Sequence, residues 1–198
     1  MRGYWCFGPT GPYTDVCISP TKLYQHGREW SDLAAELILE QPTGGVIGER
    51  LRDQGKWIRC MMLVANALKR KEAYELPVSE IINPSSFVVW GPSLWEYPEG
   101  AEVTIFTPIH TLGDMLTKLK MIVEARSPAK VTRAIALIDR NPEPTQEVAG
   151  VPFSSVVHLP LPLYQNKDMD RVKQAYAGGY GAWFERDLDW RPLPGLNG

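Results

Sequence analysis

Charge of a single sign is missing from this chain: 21 Lys and Arg stand against 23 Asp and Glu over 198 residues, a formal net charge of −2. So near a balance gives neither an electrostatic footprint for nucleic acid nor an anchor for an anionic membrane. Cysteine is scarce as well. Cys6, Cys17 and Cys60 have no CxxC spacing and are odd in number, which fits the reduced thiols of a cytoplasmic protein better than a disulfide framework. No apolar run reaches the roughly 20 residues of a membrane-spanning helix, and the opening residues lack a signal-peptide core. His26, His110 and His158 are too scattered for a metal-ligand spacing, so no structural zinc or other metal is expected. Gly-x-Ser-x-Gly, P-loop and dinucleotide fingerprints are absent, which leaves hydrolase and kinase readings without support.

What is present is the make-up of one ordinary globular domain spanning 1–198, with 44% hydrophobic and 22% charged residues. The 17 prolines and seven tryptophans are high for this length. Pro142, Pro144, Pro152, Pro160 and Pro162 predict stiff turns in the second half.

Along the chain, residues 1–20 are rich in Gly, Pro and aromatics around one short strand that includes Tyr13 and Asp15. Trp30, Leu33, Ala34, Leu37 and Ile38 then fall on one face of a helix that ends before Pro42. Gly44 to Gly48 reads either as a short strand entering a loop or as a helix stop and a turn. A Met-rich stripe (Ile58, Met61, Met62, Ala65, Leu68) predicts a second helix from about Lys56 to Lys71, and Leu76 to Ile82 a strand. Residues 83–100, broken by Pro84, Gly91, Pro92, Pro98 and Gly100, predict a flap or hairpin. Val131 to Ile138 is a buried strand that delivers Asp139 and Arg140, and Val151 to Leu159 is one more strand. The tail predicts a short helix near Asp168 to Ala177, a Gly-rich turn at 178–181 and a Trp183, Phe184, Trp190 cluster.

The chemistry is expected at Val103 to Glu124. An apolar run (Val103 to Phe106) breaks at Thr107-Pro108, passes a polar loop (His110, Thr111, Gly113, Asp114) and enters a helix with Met115, Leu116, Leu119, Ile122 and Val123 on one face. Such a strand–turn–helix points unpaired N–H groups and the positive end of the helix dipole at the turn, as in the phosphate sites of doubly wound sheets. Asp114 also reads as a helix cap, and as such it occupies the place an anion would take. Alternating strands and helices imply an α/β fold with a parallel sheet of about five strands, flanked by helices.

Taken in this order, the pieces resemble the type I phosphoribosyltransferases, most nearly the orotate phosphoribosyltransferases. Gly8, Gly11, Pro12, Tyr13 and Asp15 match the family's opening Ser-Gly-x-x-Ser-x-x-Tyr-x-Asp-like strand, and Asp139-Arg140 the late Asp-Arg pair whose arginine contacts orotate. The resemblance therefore places Tyr13, Asp15 and Arg140 on the base side and Thr107, His110, Thr111, Gly113 and Asp114 on the phosphate side. It implies a Rossmann-like single domain in which 1–20 and 83–100 form a hood over the C-terminal edge of the sheet, and a homodimer. The family signature, four apolar residues, two acids and a Thr-Thr-Gly loop, is degenerate here: Thr107 and Pro108 replace both acids, and only Thr111 and Gly113 match the loop. The flexible-loop lysine is replaced by Asn83, Pro84, Ser85 and Ser86.

Three expectations follow. The first is a pseudoenzyme on a transferase fold that binds a nucleotide-like ligand or a protein partner, with no cofactor of its own and Mg²⁺ only if phosphoribosyl diphosphate binds. The second is an active glycosyltransferase acting on a pyrimidine-like base, with Asp114, Glu99 or Glu102 in place of the lost acids. The third is an assembly module that uses exposed aromatics such as Trp90, Trp95 and Trp183.

Overall fold

Short Val- and Ile-rich runs alternate with helices that carry one apolar face, and the chain winds them into two helical layers around one main sheet. The computed structural model describes residues 2–6, 13–16, 25–53, 56–83, 88–111, 114–160, 182–185 and 189–192. In chain order the elements are β1 (Arg2–Cys6), β2 (Tyr13–Val16), α1 (Gly27–Leu39), β3 (Val46–Glu49), β4 (Leu51–Asp53), β5 (Lys56–Ile58), α2 (Cys60–Arg70), β6 (Val78–Asn83) and β7 (Val88–Trp90). A single 3-10 turn (Leu94–Glu96) follows, then β8 (Glu102–His110), α3 (Asp114–Arg126), β9 (Lys130–Asp139), β10 (Glu147–Val148), β11 (Val151–His158), β12 (Ala182–Glu185) and β13 (Asp189–Pro192). The predicted helix near Asp168 to Ala177 and the Gly-rich turn at 178–181 lie outside the described residues.

The main sheet has seven strands in the order β10-β11-β9-β8-β3-β6-β7. β11, β9, β8, β3 and β6 are parallel, and β10 and β7 are antiparallel edges. The parallel strands begin at β3, step outward to β6, then return to the other side of β3 with β8. The direction of winding therefore reverses between β3 and β8, and the C-terminal ends of these two strands flank the crevice where doubly wound sheets bind ligands.

One face of the sheet packs Ile47, Ile105, Ala134 and Ala136 against Leu116, Leu119 and Val123 of α3. The other packs Val46, Phe106 and Ile135 against Trp30, Ala34 and Ile38 of α1 and Met61, Val64 and Leu68 of α2. Trp30 stacks on Phe106 with centroids 6.5 Å apart. The glycine-flanked run at 44–48 leads into and forms most of the interior strand β3. A Cβ on Gly48 would stand 2.1 Å from Met61 Sδ, so the missing side chain is what lets α2 press onto β3. No basic residue closes the last turn of α1. Arg133 of β9 does so instead, donating to the carbonyls of Ile38 and Leu37 and to the Thr104 hydroxyl.

Two expectations are corrected here. The second helix begins at Cys60, because Lys56–Ile58 pairs with Leu51–Asp53 as a hairpin. The segment 91–100 is no hood over the C-terminal edge. The Ser79 hydroxyl, near the start of β6, donates to the Pro92 carbonyl at 2.7 Å and bonds the Tyr97 hydroxyl at 2.9 Å. Gly100 donates to Pro128, just before β9. Leu94 and Tyr97 are buried in the α3-side core, so apolar burial draws the segment to the N-terminal edge.

Candidate functional site

The strand β8 continues four residues beyond its expected break, through Pro108 to His110. A central strand ordinarily excludes proline, which cannot donate to the ladder. Thr104 donates to the carbonyl of Gly45, just before β3, so by the alternation of a strand the nitrogen of residue 108 also faces β3. Pairing with β3 ends at Gly48 opposite Phe106, so no ladder bond is lost at 108, while Thr107, Ile109 and His110 stay paired to β9.

Thr107 therefore lies in the strand and is fully buried. Its hydroxyl donates to Glu49 Oε1 at 2.8 Å and lies 3.2 Å from the Ile109 carbonyl. Glu49, the last residue of β3, is only 7% exposed. Burial pushes its carboxyl up to about 7, while the Thr107 hydroxyl and the Lys118 ammonium of α3 pull the other way. A buried carboxyl with a raised pKa thus sits at the reversal point of the sheet, tied to β8 through Thr107.

Beyond it, His110 is buried against Phe153, with ring centroids 4.6 Å apart. Burial lowers its pKa against the pull of Asp139, so the ring is neutral at pH 7. The Thr111 hydroxyl is buried without a hydrogen-bond partner among the described residues. Asp139 organises the next loop: its carboxylate accepts from the amide N–H and side chain of Asn141 and from the Thr145 amide at 2.8 Å. Arg140 is buried and its backbone N–H donates to the His110 carbonyl at 3.0 Å. Between this loop, β10 and the first turns of α3 lies a cavity of about 360 Å³ lined by His110, Thr117, Asn141, Thr145 and Glu147.

A second polar group lies on the α2 face of β6. Glu80 is fully buried and receives Arg50 Nε on Oε1, while its Oε2 has no hydrogen-bond partner among the described residues. Cys60 lies close by, its thiol pushed up to about 12 by burial and then by the charges of Glu80 and Glu49.

The structure thus brings Thr107, His110, Thr111 and Arg140 to one edge of the sheet, where α3 begins at Asp114. Tyr13 and Asp15 lie in β2 with only their backbone described, and Gly113 lies outside the described residues. Glu99 and Glu102 are exposed at the opposite, N-terminal edge and cannot stand in for the missing acids. Glu49 is the group that sequence reasoning missed: an acid ending a short apolar run was its only signal. A divalent ion seeks several hard oxygen ligands. With the Thr107 hydroxyl directed at Glu49 and none on Pro108, positions 107 and 108 do not fit Mg²⁺.

No family model matches the sequence. Solved structures are similar in fold. The orotate phosphoribosyltransferase of Aeropyrum pernix matches with a TM-score of 0.53 and 19% identity over 89% of this chain and 92% of that one. The Mycobacterium tuberculosis enzyme in complex with inorganic phosphate matches at 0.55 and 16% identity, over 80% of this chain and 88% of that one. The UMP synthase of Leishmania donovani matches at 0.56 and 16% identity over 76% of this chain, which spans only 32% of that longer protein. What these proteins share with the chain is the type I phosphoribosyltransferase fold.

Proposed function

We propose that this protein binds a phosphorylated, nucleotide-like ligand at the β8–α3 turn and does not transfer a phosphoribosyl group. The observation that carries this reading is the state of positions 107 and 108. In the resembled enzymes two acids at this place hold the ribose of phosphoribosyl diphosphate and help to order its Mg²⁺. Here a fully buried threonine directs its hydroxyl at Glu49, and a proline offers neither charge nor N–H. The anion-binding half is supported by the start of a 13-residue helix at the sheet edge, by the buried Thr111 hydroxyl, which has no hydrogen-bond partner among the described residues, and by Arg140 on the neighbouring strand end. A guanidinium there suits a planar carboxylate or a phosphate. Mg²⁺ enters only with a diphosphate ligand.

A second reading rests on Trp95, 73% exposed on the 3-10 turn, and Met121, 64% exposed on α3. They favour a protein contact, either a second copy of the chain or another partner.

A thermal-shift titration with phosphoribosyl diphosphate, with and without Mg²⁺, orotate, and purine and pyrimidine monophosphates tests both. Stabilisation by monophosphates without diphosphate release from the donor is expected. Mg²⁺-dependent stabilisation by phosphoribosyl diphosphate together with diphosphate release would restore the transferase, and no shift with any ligand would favour the contact surface.

A further inference from the structure

We infer that the cavity between α3, β10 and the loop after β9 is a binding site in its own right, for a small uncharged heterocycle that carries an amino group beside an acceptor nitrogen, as cytosine does. It is separate from the anion reading of the β8–α3 turn, and neither depends on the other. Thr111 of that turn does not line the cavity, which meets α3 at Thr117.

Two observations point to a ligand. The first is the space itself, about 360 Å³. It stands near the lower end of the roughly 300–1,000 Å³ of small-molecule pockets, and so suits one ring rather than a whole nucleotide. The second is His110. It lines the cavity and is only 3% exposed, yet its ring makes no hydrogen bond among the described residues. Its contacts are the Phe153 ring at 4.6 Å and the field of Asp139. A buried polar group ordinarily has a partner, and the cavity is where this one meets it.

The lining selects the ligand. Burial keeps the imidazole neutral, so one ring nitrogen accepts and the other donates. Glu147 on β10 is exposed and offers acceptors only. Thr145 Oγ1 already accepts from Asn141 Nδ2, which leaves its own hydrogen to donate. The Asp139 carboxylate is engaged by the Asn141 and Thr145 N–H groups and adds negative potential at His110. No Lys or Arg lines the cavity among the described residues. Two carboxylates without a cation turn away phosphates and carboxylates. Acceptors on either side of a hydroxyl donor match an amino group next to a ring nitrogen, and Val148 and Ala149 supply an apolar wall.

NMR observation of the His110 ring in the full chain near neutral pH, titrated with cytosine, uracil and inorganic phosphate, tests the assignment. Cytosine and uracil share size and shape, and only cytosine presents the amino group and the acceptor nitrogen. Cytosine should move the His110 signals saturably, uracil should bind about fivefold more weakly, and phosphate should leave these signals in place. Glu147→Ala, at an exposed position, should weaken cytosine about threefold and bring it close to uracil.

His110 signals that do not respond to cytosine would overturn the site. Uracil binding as tightly as cytosine, or a cytosine affinity untouched in Glu147→Ala, would overturn the ligand chemistry assigned to it. Phosphate moving the His110 signals as cytosine does would overturn the exclusion of anions. Stabilisation by monophosphates bears on the turn alone, so either reading can fail while the other stands.

Discussion

Glu49→Gln offers a test of the buried acid that needs no ligand. The folded protein holds this carboxyl at about 7 against an ordinary value of 4.5. Because the folded value is the higher, the native state binds the proton more tightly, and stability is fully present below pH 4.5 and lost as pH rises through 7. Each unit of difference is about 1.4 kcal/mol, so roughly 3 kcal/mol disappears across the window. Glutamine has the same shape and no charge, can accept the Thr107 hydrogen bond, and removes the titration. The stability of Glu49→Gln relative to the wild type should therefore grow by roughly 3 kcal/mol between pH 4.5 and pH 8, or about 6–12 °C in Tm for a chain of this size. Thermal melts of both proteins at closely spaced pH values give the difference, in which other titrating groups cancel. Lys118→Met should move the inflection upward, because it removes the cation that favours the carboxylate. A pH-independent difference between wild type and Glu49→Gln, or one that shrinks as pH rises, would refute the burial argument.

Other perturbations read other parts of the fold. Gly48→Ala places a Cβ against Met61 Sδ and should cost about 1–3 kcal/mol in chemical denaturation. Arg50→Met leaves the Glu80 carboxylate buried without its cation and should cost about 3–5 kcal/mol; a smaller loss would mean that Glu80 takes up a proton instead. Arg133→Met strips the end of α1 of its donors and should cost about 2 kcal/mol, with faster amide exchange in the last turn of α1. His110 should titrate below 6.5 by NMR. Its stabilising contribution is present above 6.5 and lost as pH falls below it. Asp139→Asn should lower the midpoint further, and a rise would contradict the pairing of causes.

Much of the architecture was legible because it is written locally. The helical spacing of Trp30, Ala34 and Ile38, and that of Leu116, Leu119 and Val123, marks faces that are buried against opposite sides of the sheet. The start of α2 was misread because Trp57 and Ile58 continue the apolar pattern of the helix into β5, and only the partner strand β4 identifies them as a hairpin. The segment 91–100 was misplaced for a related reason. Its glycines and prolines announce a turn-rich excursion without saying which edge of the sheet it covers, and the buried contacts of Leu94 and Tyr97 with Ser79 and α3 decide that.

The sequence by itself determined the alternation of strands and helices, the position of the strand–turn–helix around residues 103–124, and the loss of both acids at Thr107 and Pro108. These properties follow from periodicity and residue chemistry, which neighbours along the chain share. The tertiary structure decided that β3 lies between β8 and β6, that Pro108 is tolerated because β3 has already ended beside it, and that Glu49 meets Thr107 across 58 positions of sequence. Which strands become neighbours depends on how two apolar layers close over a sheet. No local pattern records that closure, and it sets both the burial of Glu49 and the proton the acid holds.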